Sequence, residues 1–315
     1  MGGRCPLLET EEMEGFQPLF KRVAVFIKPT RVILEPLARL HALLTAMGVE
    51  SVYEDRAWEG LGSPRTVAHL PREDLIRYGD IALVLGGDGS MLGVARRLAQ
   101  DPKPIVGINT GRLGFITDVV VDDMERVLPN IFAGGFDRDR RYLLEGRVSR
   151  NGRPVFKQLA VNDLGFSHGR AGGMVDFVVY VDGIPMSSQS ADGIICSTTT
   201  GSTAYSLAAG GPILHPSLDG LVLVPVAPHT LSNRPIVLPS NLPIEIELTD
   251  ARDAVAYFDM QEFFDVLPGD VLSIRRSDAY IEILHPKGFD YFELLRRKLK
   301  WNYMPKGDVP GAAQQ

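Results

Sequence analysis

The sequence predicts a parallel α/β sheet in the first half of the chain and a β-sandwich-like unit in the second. Two patterns carry this. Up to about Arg141, short apolar runs alternate with segments whose apolar residues recur at helical spacing, as in a parallel sheet covered by helices on both faces. Beyond it, many short strand-like runs are separated by turn residues, as in an antiparallel sandwich. The length agrees: 315 residues suit two domains at ~100–200 residues each.

Residues 1–20 read as a flexible extension. Glu9, Glu11, Glu12 and Glu14 stand where a signal peptide needs an apolar core. Pro6 stands where myristoylation of Gly2 needs Ser or Thr. The run 23–27 (VAVFI) is a buried strand. Pro36 opens a helix with Leu37, Leu40, Leu43, Leu44 and Met47 on one face and Gly48 as its stop. A second buried strand, 81–85 (IALVL), runs into a glycine-rich turn, after which Met91, Leu92, Ala95 and Leu98 recur at helical spacing. Residues 105–108 form a third strand, and Met124, Val127, Leu128 and Ile131 mark a helix closed by Gly134-Gly135.

In the second half, 142–149 and 155–160 flank Asn151-Gly152, a hairpin signal, and 174–181 leads into another at Asp182-Gly183. Strand-like runs follow at 193–197, 221–226, 244–248, 254–258, 271–274 and 280–284. The stretch 202–209 reads as a helix start, and Phe292, Leu295 and Leu299 share a face of a last helix. Residues from about Pro305 are tail-like.

Composition narrows the function. Hydrophobic residues at 45% exclude a disordered chain. With 33 Lys+Arg against 39 Asp+Glu, the net charge of −6 gives no bulk attraction to nucleic acid or an anionic membrane, so neither partner is expected and phosphate binding must be local. No apolar run nears the ~18 residues of a membrane span. Two cysteines, Cys5 and Cys196, build no disulfide framework, and free thiols in a reducing cytoplasm are expected. The six histidines show no metal-ligand spacing, and there is no G-x-S-x-G elbow. The basic run Arg296-Arg297-Lys298 reads as a solvated helix face.

The strongest local feature is Leu85-Gly86-Gly87-Asp88-Gly89-Ser90, between a buried strand and a helix. Glycines admit a ligand close to the backbone. N–H groups at a helix start favour phosphate, which falls to Gly86, Gly87 and Ser90. The turn is neither G-x-G-x-x-G nor a Walker A loop. A carboxylate in such a loop is needed where a hydroxyl must be deprotonated or Mg²⁺ held. Alternatively, Asp88 caps a tight strand–helix turn. A second cluster runs from Asp192-Gly193 through Ser197–Ser206 to Gly210-Gly211-Pro212, where hydroxyls and glycines precede a helix. It supplies donors for phosphate or ribose, or else an ordinary capped helix. Asn162-Asp163, at the end of a β run, suits ribose hydroxyls or an Asx turn. Asp259 and Gln261, near another strand end, are individually weak signals.

Together these segments resemble the NAD kinase family over residues 23–301. The resemblance rests on LGGDGSML at 85–92, NTGRLGFITD at 109–118, Asn162-Asp163, DGIICSTTTGSTAYSLAAGGPILHP at 192–216, PHTLSNRPIVLP at 228–239, Gln261 and the terminal helix. It implies a Rossmann-like α/β domain at 21–142, a β-sandwich NAD-binding domain at 143–288, a segment 289–304 packing back on the first domain, and a tail at 305–315. It further implies phosphorylation of the adenosine-ribose 2′-hydroxyl of NAD to give NADP. ATP or polyphosphate is the donor, with a divalent metal, expected to be Mg²⁺ and with unassigned ligands. Homodimers or homotetramers are typical of such proteins. The proton acceptor is then Asp88, with Gly89 beside the substrate. Asn162 and Asp163 bind ribose. Asp192, Thr203, Ala204, Tyr205, Ser206, Leu207 and Ala208 hold the nicotinamide and adenine halves, and Gln261 lies near the substrate.

Three positions depart from the family pattern. Asp163 stands where Glu is frequent, Thr199 where Pro is usual, and Ser190, a substrate-binding candidate, where some bacterial members carry Arg. The last leaves the choice between NAD and NADH open. A diacylglycerol-type lipid kinase shares the GGDG turn but needs an acyl pocket that nothing in the second half marks. A non-catalytic nucleotide sensor would use the turn for binding alone, and turnover separates it from both enzymes.

Overall fold

The structure, a computed structural model, describes residues 16–27, 33–55, 67–111 and 114–300. The tails at 1–15 and 301–315, with Gly2, Cys5, Pro6 and the glutamates at 9–14, lie outside the described residues, as do Arg112 and Leu113 of the 109–118 motif.

In the first half β1 (Arg22–Ile27), α1 (Leu34–Ala46), β2 (Glu50–Glu54), β3 (His69–Leu70), α2 (Arg72–Leu75), β4 (Ile81–Gly86), α3 (Asp88–Leu98), β5 (Pro104–Asn109), β6 (Val119–Val120) and α4 (Met124–Phe132) follow in order. The main strands pair in parallel in the order β3-β2-β1-β4-β5. The apolar runs are continuous because both faces are covered. Val23, Val25, Ile27, Ile81, Leu83 and Leu85 meet α1 and α4, while Ala24, Phe26, Ala82 and Val84 meet α3. Gly48, at φ 67°, ends the turn after α1 as its position predicts.

The second half contains β7 (Phe136–Arg150), β8 (Arg153–Ala160), β9 (Asp163–His168), β10 (Val175–Val181), β11 (Ile184–Ala191), β12 (Gly193–Ser197), α5 (Tyr205–Ala208), β13 (Gly220–Val226), β14 (Ile236–Pro239), β15 (Ile244–Ala251), β16 (Ala254–Phe258), β17 (Glu262–Val266) and β18 (Val271–Pro286), and α6 (Tyr291–Leu299) closes it. A six-stranded antiparallel sheet, β14-β13-β12-β9-β16-β17, packs on β10, β15 and the neighbouring strands through a core of Leu164, Phe166, Phe177, Ile246, Phe258 and Leu272. Both hairpin turns have the required positive φ: Asn151 51° and Gly152 73°, Asp182 51° and Gly183 74°.

The strand-like runs 271–274 and 280–284 are one strand, β18, irregular between Arg276 and Tyr280. Its start pairs with β15, and Glu282 and Ile283 pair in parallel with β5, so one 12-stranded sheet crosses both halves. β7 starts at Phe136, so the 142/143 boundary falls inside a strand. Its charged opening hides it from an apolar search. Arg140 Nε donates to Glu282 of β18 at 2.9 Å, and Arg138 pairs with the same carboxylate. Asn162-Asp163 follows the end of β8 at Ala160 after one intervening residue, and Asp163 opens β9. The helix expected at 202–209 is a 3₁₀ turn, Gly201–Thr203, and the single turn α5. In α6 the expected Leu295 is buried, together with Leu294, while Leu299 is half-buried and Phe292 is exposed.

Candidate active site

At the end of β4 the chain turns at Gly87, which is the extended N-cap of α3, so Asp88 is the first helical residue and not the cap. Its carboxylate points to the connection between β5 and β6. There Oδ2 accepts from the Phe115 N–H at 2.8 Å, and Oδ1 accepts from the Ile116 N–H at 3.3 Å and the Thr117 hydroxyl at 2.8 Å. The approach is close enough that a Cβ on Gly114 would sit 1.9 Å from Oδ1, so only glycine fits there. A carboxylate has about four acceptor sites. Three are used, leaving roughly one for an incoming hydroxyl.

The strand order reverses between β1 and β4, and ligands of open α/β sheets bind outside such a reversal, at the carboxyl ends of the strands. A groove of ≈ 420 Å³ lies there, lined by Phe26, Ile27, Arg72, Gly87, Gly89 and Gln261 among others. Arg72 is held by Glu54, Nε to Oε1 at 2.6 Å and Nη2 to Oε2 at 2.7 Å. That planar pairing fixes a cation at the groove wall.

The glycine turn is tied to the second sheet. Gln261 Nε2 donates to the Gly89 carbonyl at 2.8 Å, and its Oε1 accepts from Arg96 Nη2 at 3.0 Å. Arg96 Nη1 donates to Asp259 Oδ2 at 2.8 Å, and both side chains are buried. Asp259 also accepts the backbone N–H groups of Val161 at 3.1 Å, Asn162 at 2.7 Å and Asp163 at 3.2 Å. Asp259 and Met260 sit at φ 51° and 52°, a strained pair for non-glycine residues, which these bonds hold in place. Thus α3 positions the backbone that presents Asn162 and Asp163.

The Gly/Ser/Thr segment folds over the outer face of the six-stranded sheet. Thr198 N–H and Ser197 Oγ donate to the Asn162 carbonyl at 2.8 and 3.2 Å. A Cβ on Gly201 would lie 2.2 Å from that carbonyl, so glycine is required. Tyr205 rests edge-on against Tyr257 with ring centroids 6.1 Å apart. Asp163 Oδ1, the Tyr257 hydroxyl and Ser206 Oγ are buried without a hydrogen-bond partner. Such orphaned polar atoms are costly unless a ligand completes them. Burial, and then the Asp259 charge, push the Asp163 carboxyl up to about 8.

Gly87, Gly89, Ser90 and Gln261 thus meet at the groove. Gly86 and Asp88 belong to the same turn, with the Asp88 carboxylate turned to the 115–117 backbone, and Asn162 and Asp163 join the turn through Asp259. Thr203 through Ala208 cover the adjoining face. Ser190 and Asp192 do not join this group. Asp192 precedes Gly193, which pairs with Ser167, whereas Asp163 pairs with Ser197 at the other end of β12, roughly 13 Å away at ~3.3 Å per residue. Ser190 Oγ contacts Met174 Sδ at 3.6 Å. Tyr205 lies between the two ends: burial, then the charges of Asp163 and Asp192, raise its phenol. Sequence reasoning missed Arg96 and Thr117 as site residues and underrated Asp259. The available signal for Arg96 was an arginine between Ala95 and Leu98 of the apolar stripe of α3, buried where its neighbour Arg97 is exposed.

Two family models match. That of the ATP-NAD kinase N-terminal domain covers residues 48–136, and that of the ATP-NAD kinase C-terminal domain covers 161–285. The chain is 47% identical over 290 residues to the NAD kinase of Cupriavidus pinatubonensis, covering 92% of this chain and 95% of that one. It is 48% identical over 276 residues to the NAD kinase of Burkholderia thailandensis, covering 88% and 92%. The chain belongs to the NAD kinase family. In fold it is similar to a yeast NADH kinase solved with NADH, with a TM-score of 0.83, 22% identity and 93% and 91% of the two chains covered. An Archaeoglobus fulgidus NAD kinase solved with ATP superimposes with a TM-score of 0.69 at 24% identity, covering 89% and 96%. Among the described residues, no helix is long and apolar enough to cross a membrane.

Proposed function

We propose that the chain transfers the γ-phosphate of ATP to the 2′-hydroxyl of the adenosine ribose of NAD, giving NADP. The observation that carries this is the Asp88 carboxylate, held by the 115–117 loop at the start of α3 with about one acceptor site free, next to Gly89, which is tied through Gln261, Arg96 and Asp259 to Asn162-Asp163. Asp88 takes the proton of the 2′-hydroxyl as its oxygen attacks the γ-phosphorus in line and the ADP oxygen leaves. Gly86, Gly87 and Ser90 offer the phosphates the glycine turn and the start of α3. Asn162 and Asp163 hold ribose. Thr203, Ala204, Tyr205, Ser206, Leu207 and Ala208, with Asp192 and Ser190, line the dinucleotide path, and Gln261 fixes the Gly89 carbonyl beside the substrate.

A divalent metal is expected with the donor. Among the described residues no group of three or more His, Cys, Asp or Glu could hold one. Polyphosphate remains a donor to be tested beside ATP. A homodimer or homotetramer is the expected assembly. The free, buried Cys196 thiol suits a cytoplasmic protein.

The test incubates pure protein with NAD, Mg²⁺ and either ATP or polyphosphate, and follows NADP by an NADP-specific dehydrogenase. NADP formation at a steady rate is expected with ATP. Nucleotide binding without turnover would make the chain a sensor, and phosphorylation of a diacylglycerol instead would make it a lipid kinase.

A further inference from the structure

Outside the groove, one line of contacts joins the loop that holds Asp88 to the turn at Thr200, and His285 is its centre. The residue lies near the end of β18 and is 1% exposed. Its Nδ1 lies 2.8 Å from Asp118 Oδ2 and its Nε2 3.2 Å from Asp139 Oδ2. Phe289 closes one face of the ring, stacked at 3.9 Å. A neutral imidazole has one N–H and would turn a lone pair towards one of the two carboxylates. Both contacts are attractive only when both nitrogens carry protons. Burial opposes the charge, but the two carboxylates outweigh it and push the ring up to about 9.

Asp118 belongs to the loop around Asp88, and Asp139 lies on β7 beside the arginine that reaches the Thr200 turn. Asp118 follows Thr117, whose hydroxyl donates to Asp88. The other oxygen of Asp118, Oδ1, is buried without a hydrogen-bond partner, so the contact with His285 orients this side chain. Asp139 accepts from Arg141 Nε at 2.7 and 2.8 Å, and Arg141 Nη1 donates to Thr200 Oγ1 at 3.1 Å, at the head of the Gly201–Thr203 turn. Among the described residues, the other charges facing this line are Lys287, paired with Asp137 after β18, and Asp290, Glu293 and Arg297, which flank a small cavity with Asp118.

We propose that His285 is a positioning residue for phosphoryl transfer: its doubly protonated ring ties the 114–118 loop around Asp88 to the Arg141-held turn at Thr200, and loss of a proton releases the tie. The proposal rests on the kinase reading above. Deprotonation leaves a lone pair against a carboxylate, so turnover falls on the alkaline side, where the ring titrates.

The experiment measures kcat and KM for NAD from pH 7 to 10 in the wild type, His285→Gln and His285→Lys, with a thermal melt of each. In the wild type kcat is expected to fall as pH rises through about 9. His285→Gln is expected to lose about tenfold in kcat at pH 7.5, with KM nearly unchanged, and to lack that fall. His285→Lys, still cationic there, recovers much of the rate and carries it to higher pH than the wild type. A folded His285→Gln with wild-type kcat and an unchanged pH profile overturns the proposal. ¹⁵N NMR of the wild-type imidazole at pH 7.5 decides it where the variants do not fold. A doubly protonated ring supports the tie, and a neutral ring overturns it. Absence of NADP formation in the wild type would instead defeat the kinase reading, and the NMR result would still decide the state of the ring.

Discussion

Asp88 and Asp163 serve the site from opposite surroundings. Asp88 is met by three donors of one loop. Asp163 has an orphaned oxygen and faces a second carboxylate. In Asp88→Asn one oxygen must become an amide that opposes an N–H or a hydroxyl. Steady-state NADP formation is expected to fall by ~10²–10⁴-fold, the range for a lost general base. Losing one or two such bonds should cost about 1 kcal/mol each in stability, read from a melt. Near-wild-type turnover would remove Asp88 as the base. Gly114→Ala leaves Asp88 in place but drives a Cβ against it, so turnover is expected to drop without a charge change. For Asp163 the folded value, about 8, exceeds the ordinary carboxyl value near 3.9. Between them the native state binds the extra proton, so this residue lowers stability as pH rises from about 4 to about 8. Asp163→Asn should therefore raise the melting temperature more at pH 8 than at pH 5.5, while weakening NAD binding in a titration. An equal shift at both pH values would show that Asp163 ionises freely in the fold. The glycine turn was legible in the sequence because its residues are consecutive. The orphaned oxygen of Asp163 was not, since it follows from packing against Tyr257 and Asp259, almost a hundred residues away.

At the scale of elements, the joint between α3 and the hairpin of β16 and β17 sets the site. Arg96 and Asp259 are both buried, and removing one partner of such a pair leaves an uncompensated charge, at a cost of about 3–5 kcal/mol. Arg96→Met keeps the volume and should show that loss in urea unfolding, with NAD affinity reduced because Asp259 no longer fixes the N–H groups of 161–163. Unchanged NAD affinity in the folded variant would separate the joint from the site. The same elements mark what sequence reading could reach. β1, β4 and β5 announced themselves because both faces are buried, and the hairpins because Asn-Gly and Asp-Gly need positive φ. β2, with its ESVYE pattern, is apolar only at its middle, and β3 is two residues long. β7 and the second half of β18 are held by arginine–glutamate pairs as well as apolar contacts, so their register is written in residues 140 positions apart.

Across the whole molecule, β18 makes two domains into one sheet. Its first residues pair with β15 in the sandwich, Glu282 and Ile283 pair with β5, and β7 follows it along both stretches. Leu143, Val161 and Ile281, all from the second half, share a core with α3. Among the described residues no weak linker divides the two halves, whereas domains joined by ordinary linkers unfold separately. A single transition in urea is therefore expected, the same by far-UV and near-UV circular dichroism. Leu83→Ala in the first core and Leu272→Ala in the sandwich core should each cost ~2–5 kcal/mol and move that one transition. A nucleotide at a hundred times its Kd adds about 2.7 kcal/mol if it binds only the folded state. Because the halves are coupled, NAD should shift the transition equally in both variants. A transition that splits, or a shift seen in only one variant, would mean that β18 joins the halves in geometry but not in stability.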